Sequence, residues 1–251
     1  DLYYSEKMAP LKPTNNIILV NVEQADRFQI QELLVKIQEQ KPTVIGMDII
    51  FKDKKDPFVD SLLQQQLTKP NVIIAKAYLD DTWNYNFFNH QNLTEKSGYT
   101  NLNFNSTENV IRKFQGYKSI NDTVQSSLAA KIVDFYKEKS WPPAKIREKL
   151  KAENTINFVG NMESFITFSL AECMMAEEIP GMKDKIVLLG YLGTPHGSKT
   201  DIEDKFFTPL NAKSAGKSPP DMFGVVIHAN IIQMMLTNTY FTAIPKWVSI
   251  L

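Results

Sequence analysis

The chain has 251 residues, enough to bury one large core or two small ones. Lys+Arg and Asp+Glu both number 28, and this zero net charge argues against a nucleic-acid-binding domain, which carries a basic stripe. The one cysteine, Cys173, excludes an internal disulfide framework, and charged or polar residues punctuate every apolar run, so no transmembrane helix is expected within the chain.

Residues 1–16 read as an approach segment with Pro10 and Pro13 as breakers. Ile17 to Val22 is a β-branched, apolar run, expected to be a buried strand. Ile30, Leu33, Leu34 and Ile37 follow at the spacing of one helical face, and Lys41-Pro42 ends that helix. Val44-Ile-Gly-Met-Asp48-Ile-Ile-Phe51 is the next strand. Together these make a βαβ unit, which predicts a right-handed crossover between adjacent parallel strands. Asp56-Pro57 reads as an N-cap with proline in the first helical position, and Asn71 to Ala75 as a third strand.

Residues 78–98 show no period and read as a loop or an excursion. Tyr99 to Phe104 and Val110 to Phe114, separated by Asn105-Ser-Thr-Glu-Asn109, suggest a hairpin. Asp122-x-x-Gln125 resembles a capping box opening a helix that carries Val124, Leu128, Ile132 and Phe135. A short helix is expected over 145–151, a strand over 155–159 and a helix over 168–175. Lys185 to Gly190 reads as a strand buried on both faces, and Gly224 to Leu236 as a buried helix with a short extended start. The alternation predicts an α/β class with a mainly parallel central sheet, helices on both faces and a hairpin excursion.

The stretch after Gly190 is a long polar loop. It does not match a phosphate-binding loop: Ser198 separates Gly197 from Lys199, and the spacing of Gly190, Gly193 and Gly197 also misses G-x-G-x-x-G. The three histidines, His90, His196 and His228, are too widely spaced for a zinc signature, and no cofactor is expected. Asp201, Glu203 and Asp204 could offer oxygens to a cation or form a solvated acidic loop. No G-x-S-x-G, H-E-x-x-H or ordered triad points to an enzyme.

The opening strand, Val44 to Phe51, Lys185 to Gly190 with Asp201 and Thr208-Pro209, and Gly224-Val-Val-Ile-His-Ala-Asn230 occur in a characteristic order. On these segments the chain resembles the type 2 CHASE domain, the sensory extracellular module associated with cyclases and histidine kinases. The resemblance runs from about residue 17 to 245; Glu23 stands where that family more often has Asp, and 78–98 and 138–153 match poorly. It implies an extracytoplasmic, periplasmic input domain of a bacterial transmembrane receptor, with membrane helices on either side and a cytoplasmic adenylate or guanylate cyclase or kinase as output. On this reading residues 1–16 are membrane-proximal, 17–245 form the sensory domain and 246–251, opening with Lys246-Trp247, start a transmembrane segment. The implied partners are the membrane and a small-molecule or protein signal, with no nucleic acid and with a homodimer as one arrangement. The competing reading is a structural or interaction domain without a small ligand.

Ligands of open α/β sheets bind outside the carboxyl ends of the strands. The expected site is therefore a small polar pocket bounded by Asp48, Asp201, Thr208 and Asn230, with Arg112 a further candidate. Asp48 interrupts an apolar strand and must be paired or hydrogen-bonded, through the fold or through a ligand. Two acids in one pocket should raise one pKa. His228, amid Val226, Ile227, Ile231 and Ile232, reads as a satisfied core histidine or as a ligand or pH-sensing group.

Overall fold

The computed structural model describes residues 15–79, 82–84, 88, 93, 95–102, 109–137, 142–211 and 218–241. The elements of the first half are β1 (Ile17–Asn21), α1 (Arg27–Glu39), β2 (Val44–Met47), α2 (Pro57–Leu67), β3 (Val72–Leu79), β4 (Thr82–Asn84), β5 (Ser97–Tyr99), β6 (Lys113–Phe114), β7 (Tyr117–Ile120) and β8 (Thr123–Ser126). Then follow α3 (Leu128–Tyr136), α4 (Ala144–Lys151), β9 (Asn154–Thr155), β10 (Ile166–Phe168), α5 (Leu170–Met175), β11 (Ile186–Gly190), β12 (Lys205–Phe206), β13 (Met222–Phe223) and α6 (Gly224–Thr237).

The central sheet has the order β10-β1-β11-β2-β3-β4, and β5 also pairs with β3. Every pairing in it is parallel except β3 with β4. The expected α/β class with a mainly parallel sheet is thus found. Alternate residues of each strand serve two cores. Ile18, Val20, Ile45, Met47, Val187 and Leu189 pack with α1, α2 and Cys173 of α5. Ile17, Leu19, Val44, Ile186 and Leu188 pack with α3 and α6 on the opposite face. Burial on both faces explains why these strands are continuous apolar runs.

Local signals place the first helices. The Asp26 carboxylate accepts from Gln29 N at 2.9 Å while Gln29 Oε1 accepts from Asp26 N at 3.0 Å, a reciprocal cap. Asp56 accepts from Phe58 N at 2.9 Å and Val59 N at 3.0 Å ahead of α2. Ile30, Leu33, Leu34 and Ile37 are the buried face of α1, as the periodicity predicts.

Several expectations are corrected. β1 and β2 are not neighbours, because the later strand β11 inserts between them. Residues 155–159 do not join the central sheet; Asn154–Thr155 pairs antiparallel with Lys113–Phe114 in a separate ladder. The sheet strand in this region is β10, beside β1. Tyr99 and Phe114 do not face each other in a hairpin: Tyr99 pairs with Lys76 and Phe114 with Asn154. The hairpin is β7–β8, turned by Asn121 and Asp122, both at positive φ. That geometry is a type I′ turn, so Asp122 opens no helix. Ser127 caps α3 instead, accepting from Ala130 N at 3.1 Å. Residues 105–108 of the expected hairpin loop, the end of its first strand at 103–104, His90 and the terminal segments 1–14 and 242–251 lie outside the described residues.

The direction of α3 and α6 positions the site. A Cβ on Gly98 would stand 2.5 Å from Leu128 Cα, and one on Gly46 2.3 Å from Ile132 Cδ1. Gly98 is level with Ala75, and Gly46 with Ile73, two residues lower on β3. Helix α3 therefore descends from the carboxyl edge of the sheet to its amino edge. Helix α6 lies beside it, starting against Gly190 at the carboxyl edge. The two end together, where Lys137 Nζ donates to Leu236 O at 3.1 Å. Asn16, whose carbonyl accepts from Ile186 N at 2.8 Å, is also at the amino edge.

Candidate functional site

Because β10, β1, β11, β2, β3 and β5 are parallel, their carboxyl ends bring Asn21, Asp48, Gly190 and the 191–208 loop to one edge, beneath the first turns of α6. Gly190 has no alternative here: a Cβ would meet Val225 Cβ at 2.6 Å. This close approach seats the start of α6 on the end of β11.

Asp201, Thr208 and Asn230 do not share one pocket. The Asp201 carboxylate accepts from the Tyr191 hydroxyl, from Thr194 N at 3.0 Å and from Glu203 N at 2.9 Å. These donors, Tyr191 foremost, hold its carboxyl below the usual range. Thr208 closes on Asp221, with N donating to Oδ1 at 2.8 Å and the hydroxyl to Oδ2 at 2.6 Å. Asn230 is fully buried; it accepts from Val159 N at 2.7 Å and donates to Gly160 O at 3.0 Å and Val226 O at 2.9 Å. It pins the 157–160 segment to α6. Arg112 lies on the segment whose Val110 bridges Phe207, and its carbonyl accepts from Ile156 N at 2.8 Å.

Asp48 has different company. Its N–H donates to Leu189 O at 2.8 Å, extending the β2–β11 ladder by one residue. Its Oδ2 stands 3.9 Å from Nε2 of His228, in the second turn of α6. The Asp48 side chain is 16 % exposed. Burial pushes its carboxyl up to about 7. His228 is 4 % exposed, and its Nδ1 is buried without a hydrogen-bond partner. Burial pushes the imidazole down to about 4. The histidine is in the core, but it is not satisfied there.

The acid on which the Asp48 charge acts is Asp204 rather than Asp201. Asp204 sits at positive φ just before β12, and its carbonyl accepts from Gly224 N, the first residue of α6, at 3.0 Å. The residue as a whole is exposed, but its carboxyl turns inward, 3.1 and 3.3 Å from where a Cβ of Gly224 would stand. Burial, then the charges of Asp48 and Glu203, push that carboxyl up to about 7. Close approach by such a carboxylate is one reason that α6 opens on glycine.

Asn21 is the residue that sequence reasoning missed. It is fully buried at the end of β1, donates to Gly193 O at 2.8 Å and accepts from Leu192 N at 2.8 Å and Glu23 N at 3.0 Å. It anchors the start of the 191–208 loop. Its signal was a polar residue closing an apolar strand, the same signal that singles out Asp48.

A groove of about 300 Å³ opens beside the loop. Its lining includes Ser198, Lys199, Lys205, Asn211, Asp221 and Phe223, but neither Asp48 nor His228. Lys205 crosses it, with Nζ donating to Ser198 O at 2.8 Å and lying 4.4 Å from the Phe223 ring centroid. Among the described residues no three His, Cys, Asp or Glu side chains are grouped to hold a metal ion. Nor is any described helix long and apolar enough to cross a membrane.

Comparison with curated proteins and with solved structures returns no match. Comparison with protein families returns one, the CHASE2 domain, over residues 13–251. That match covers nearly the whole chain, every element of the central sheet and each group at its carboxyl edge. The chain belongs to the CHASE2 family of extracellular sensory domains.

Proposed function

We propose that this chain is the extracytoplasmic input domain of a bacterial transmembrane receptor, and that it passes its signal to a cytoplasmic cyclase or kinase. The observation that carries this is the family match over residues 13–251. The path of α6 supports it. The helix begins among the ionisable groups of the carboxyl edge and ends at the amino edge, where Asn16 also lies. A membrane beyond the amino edge would leave the carboxyl edge facing outward. A change in the seating of α6 would then be carried toward the bilayer.

Labelling in intact cells tests the placement. Lys199 is exposed on the 191–208 loop, and the native Cys173 is buried. The membrane-borne protein carrying Lys199→Cys should react with a membrane-impermeant maleimide without permeabilisation. Labelling only after the membrane is opened would rule out the extracytoplasmic reading.

A second reading, a domain that positions its neighbours without a small ligand, has one observation in its favour. Asp201, Thr208 and Asn230 are each committed to partners within the chain. On that reading, substitutions at the carboxyl edge change the receptor's output only by unfolding the domain.

A further inference from the structure

We propose that the signal taken at the carboxyl edge is the proton: the pair of part-buried Asp48 and buried His228, with Asp204 over the first turn of α6, gains or loses a proton and so sets how α6 docks on the sheet. This rests on the sensory reading above and specifies its ligand.

The geometry carries the inference. Asp48 belongs to the end of a central strand and His228 to the helix laid across it, 3.9 Å apart. That separation is too long for a hydrogen bond and short for a Coulomb interaction in a poorly solvated site. With one proton the pair is neutral overall, whichever of the two holds it. With none it is a buried negative charge, which an apolar surrounding disfavours. Nδ1 of His228 has no partner, so no second-side hydrogen bond fixes the ring or its tautomer. Asp204 adds another negative charge beside the helix start. There it is favoured by the N-terminal dipole of α6 but opposed by Asp48. Proton loss thus places repelling charges on the two surfaces that α6 joins.

Most of the neighbouring charges have partners of their own. Strands β1, β2, β11 and β13 carry no ionisable side chain. On α3 and its C-cap, Lys131 donates to Glu95 O and Lys137 to Leu236 O, while Asp134 feels Arg147 and Lys131. Lys205 is bound to Ser198 O, Asp221 to Thr208, Asp201 to Tyr191, and Lys76 to Gln125. Glu203 acts on Asp204, and Arg112 stands on the segment beside Phe207. The upward shifts of Asp48 and Asp204 to about 7 agree with a site that titrates near neutrality. A proton needs no cavity, and the groove does not reach the pair. The part-exposed Asp48 side chain gives it access to water.

The test is a carboxyl- and amide-detected NMR titration of the 251-residue chain from acid to mildly alkaline pH. Asp48 should titrate near neutrality, and the amides of Gly224 to Ala229 should move with the same midpoint. Asp48→Asn, near-isosteric and always neutral, should abolish that movement. Asp204→Asn should lower the Asp48 midpoint by about one pH unit, and it serves if Asp48→Asn does not fold. An Asp48 midpoint below about 5, in the range of ordinary carboxyls, or an α6 transition that persists in Asp48→Asn, overturns the proposal. In the membrane-borne protein, output should depend on external pH and lose that dependence in Asp48→Asn. If the chain titrates as described but output ignores pH, the proton is not the signal and the sensory reading survives. If no folded substitution in the domain alters output, the sensory reading itself fails.

Discussion

Asn21 and Asp48 occupy matching places, the carboxyl ends of the two strands that flank β11, yet their chemistry diverges. Asn21 meets two N–H donors and one carbonyl, so its burial is compensated. Asn21→Ala should lower stability by about 3 kcal/mol, because buried backbone groups of the loop lose their partner. Chemical denaturation measures this, and a loss under about 1 kcal/mol would show that water or loop movement replaces the amide. Asp48 stands 3.9 Å from the imidazole of His228, and its contribution depends on pH. A raised carboxyl pKa means that the folded chain holds its proton more tightly than the unfolded chain. Stability from Asp48 and Asp204 therefore falls as pH rises from about 4 to about 7. The depressed His228 works in the opposite sense, adding stability between about 4 and about 6.5. Two carboxyls outweigh one imidazole, so the protein should be less stable at pH 8 than at pH 5. In Asp48→Asn that decline should shrink by about 2 kcal/mol. An unchanged pH profile in this variant would mean that Asp48 is an ordinary solvated acid. Sequence alone marked Asp48 as a polar break in an apolar run, but its partner lies 180 residues away on α6, a pairing that only topology supplies. Thr208 and Asn230 were legible as polar positions shared with the family and placed near the carboxyl edge; that each closes on its own partner was not.

At the scale of elements, the strands buried on both faces were legible, and the short ones were not. Ile17–Asn21, Val44–Met47 and Ile186–Gly190 are apolar throughout or nearly so, because helices cover both sides. β10 is three residues at the edge of the sheet, with Ile166 exposed, so it carries no run and no alternation to read. β6 and β9 are two residues each, fixed by each other rather than by pattern. Asp122-x-x-Gln125 has the letters of a capping box, but the preceding Asn121 makes the pair a turn when both adopt positive φ. Asp122→Gly should therefore stabilise the protein by about 0.5 kcal/mol, by relieving a left-handed non-glycine residue. A loss of stability in thermal denaturation would refute the turn assignment. Gly190→Ala tests the seating of α6. A methyl 2.6 Å from Val225 Cβ must displace helix or strand, at about 1–3 kcal/mol. A neutral outcome would show that the helix start is loosely held.

The whole molecule sets its polar chemistry at one edge of a parallel sheet and joins it to the opposite edge through a buried helix. Nearly every residue of α6 is buried, so the helix cannot shift without disturbing the core shared with α3 and the sheet. Such a helix responds to charge at its start as a body, because packed interiors transmit displacement rather than absorb it. The central claim is that the protonation of Asp48 and its partners governs this docking. Hydrogen exchange across α6 at pH 6 and pH 8, corrected for the intrinsic pH dependence of exchange, tests it most directly. The account predicts that amides from Val225 to Asn230 lose protection at pH 8, that those of α1 do not, and that the difference vanishes in Asp48→Asn. Equal corrected protection at both pH values in the unsubstituted protein would contradict it.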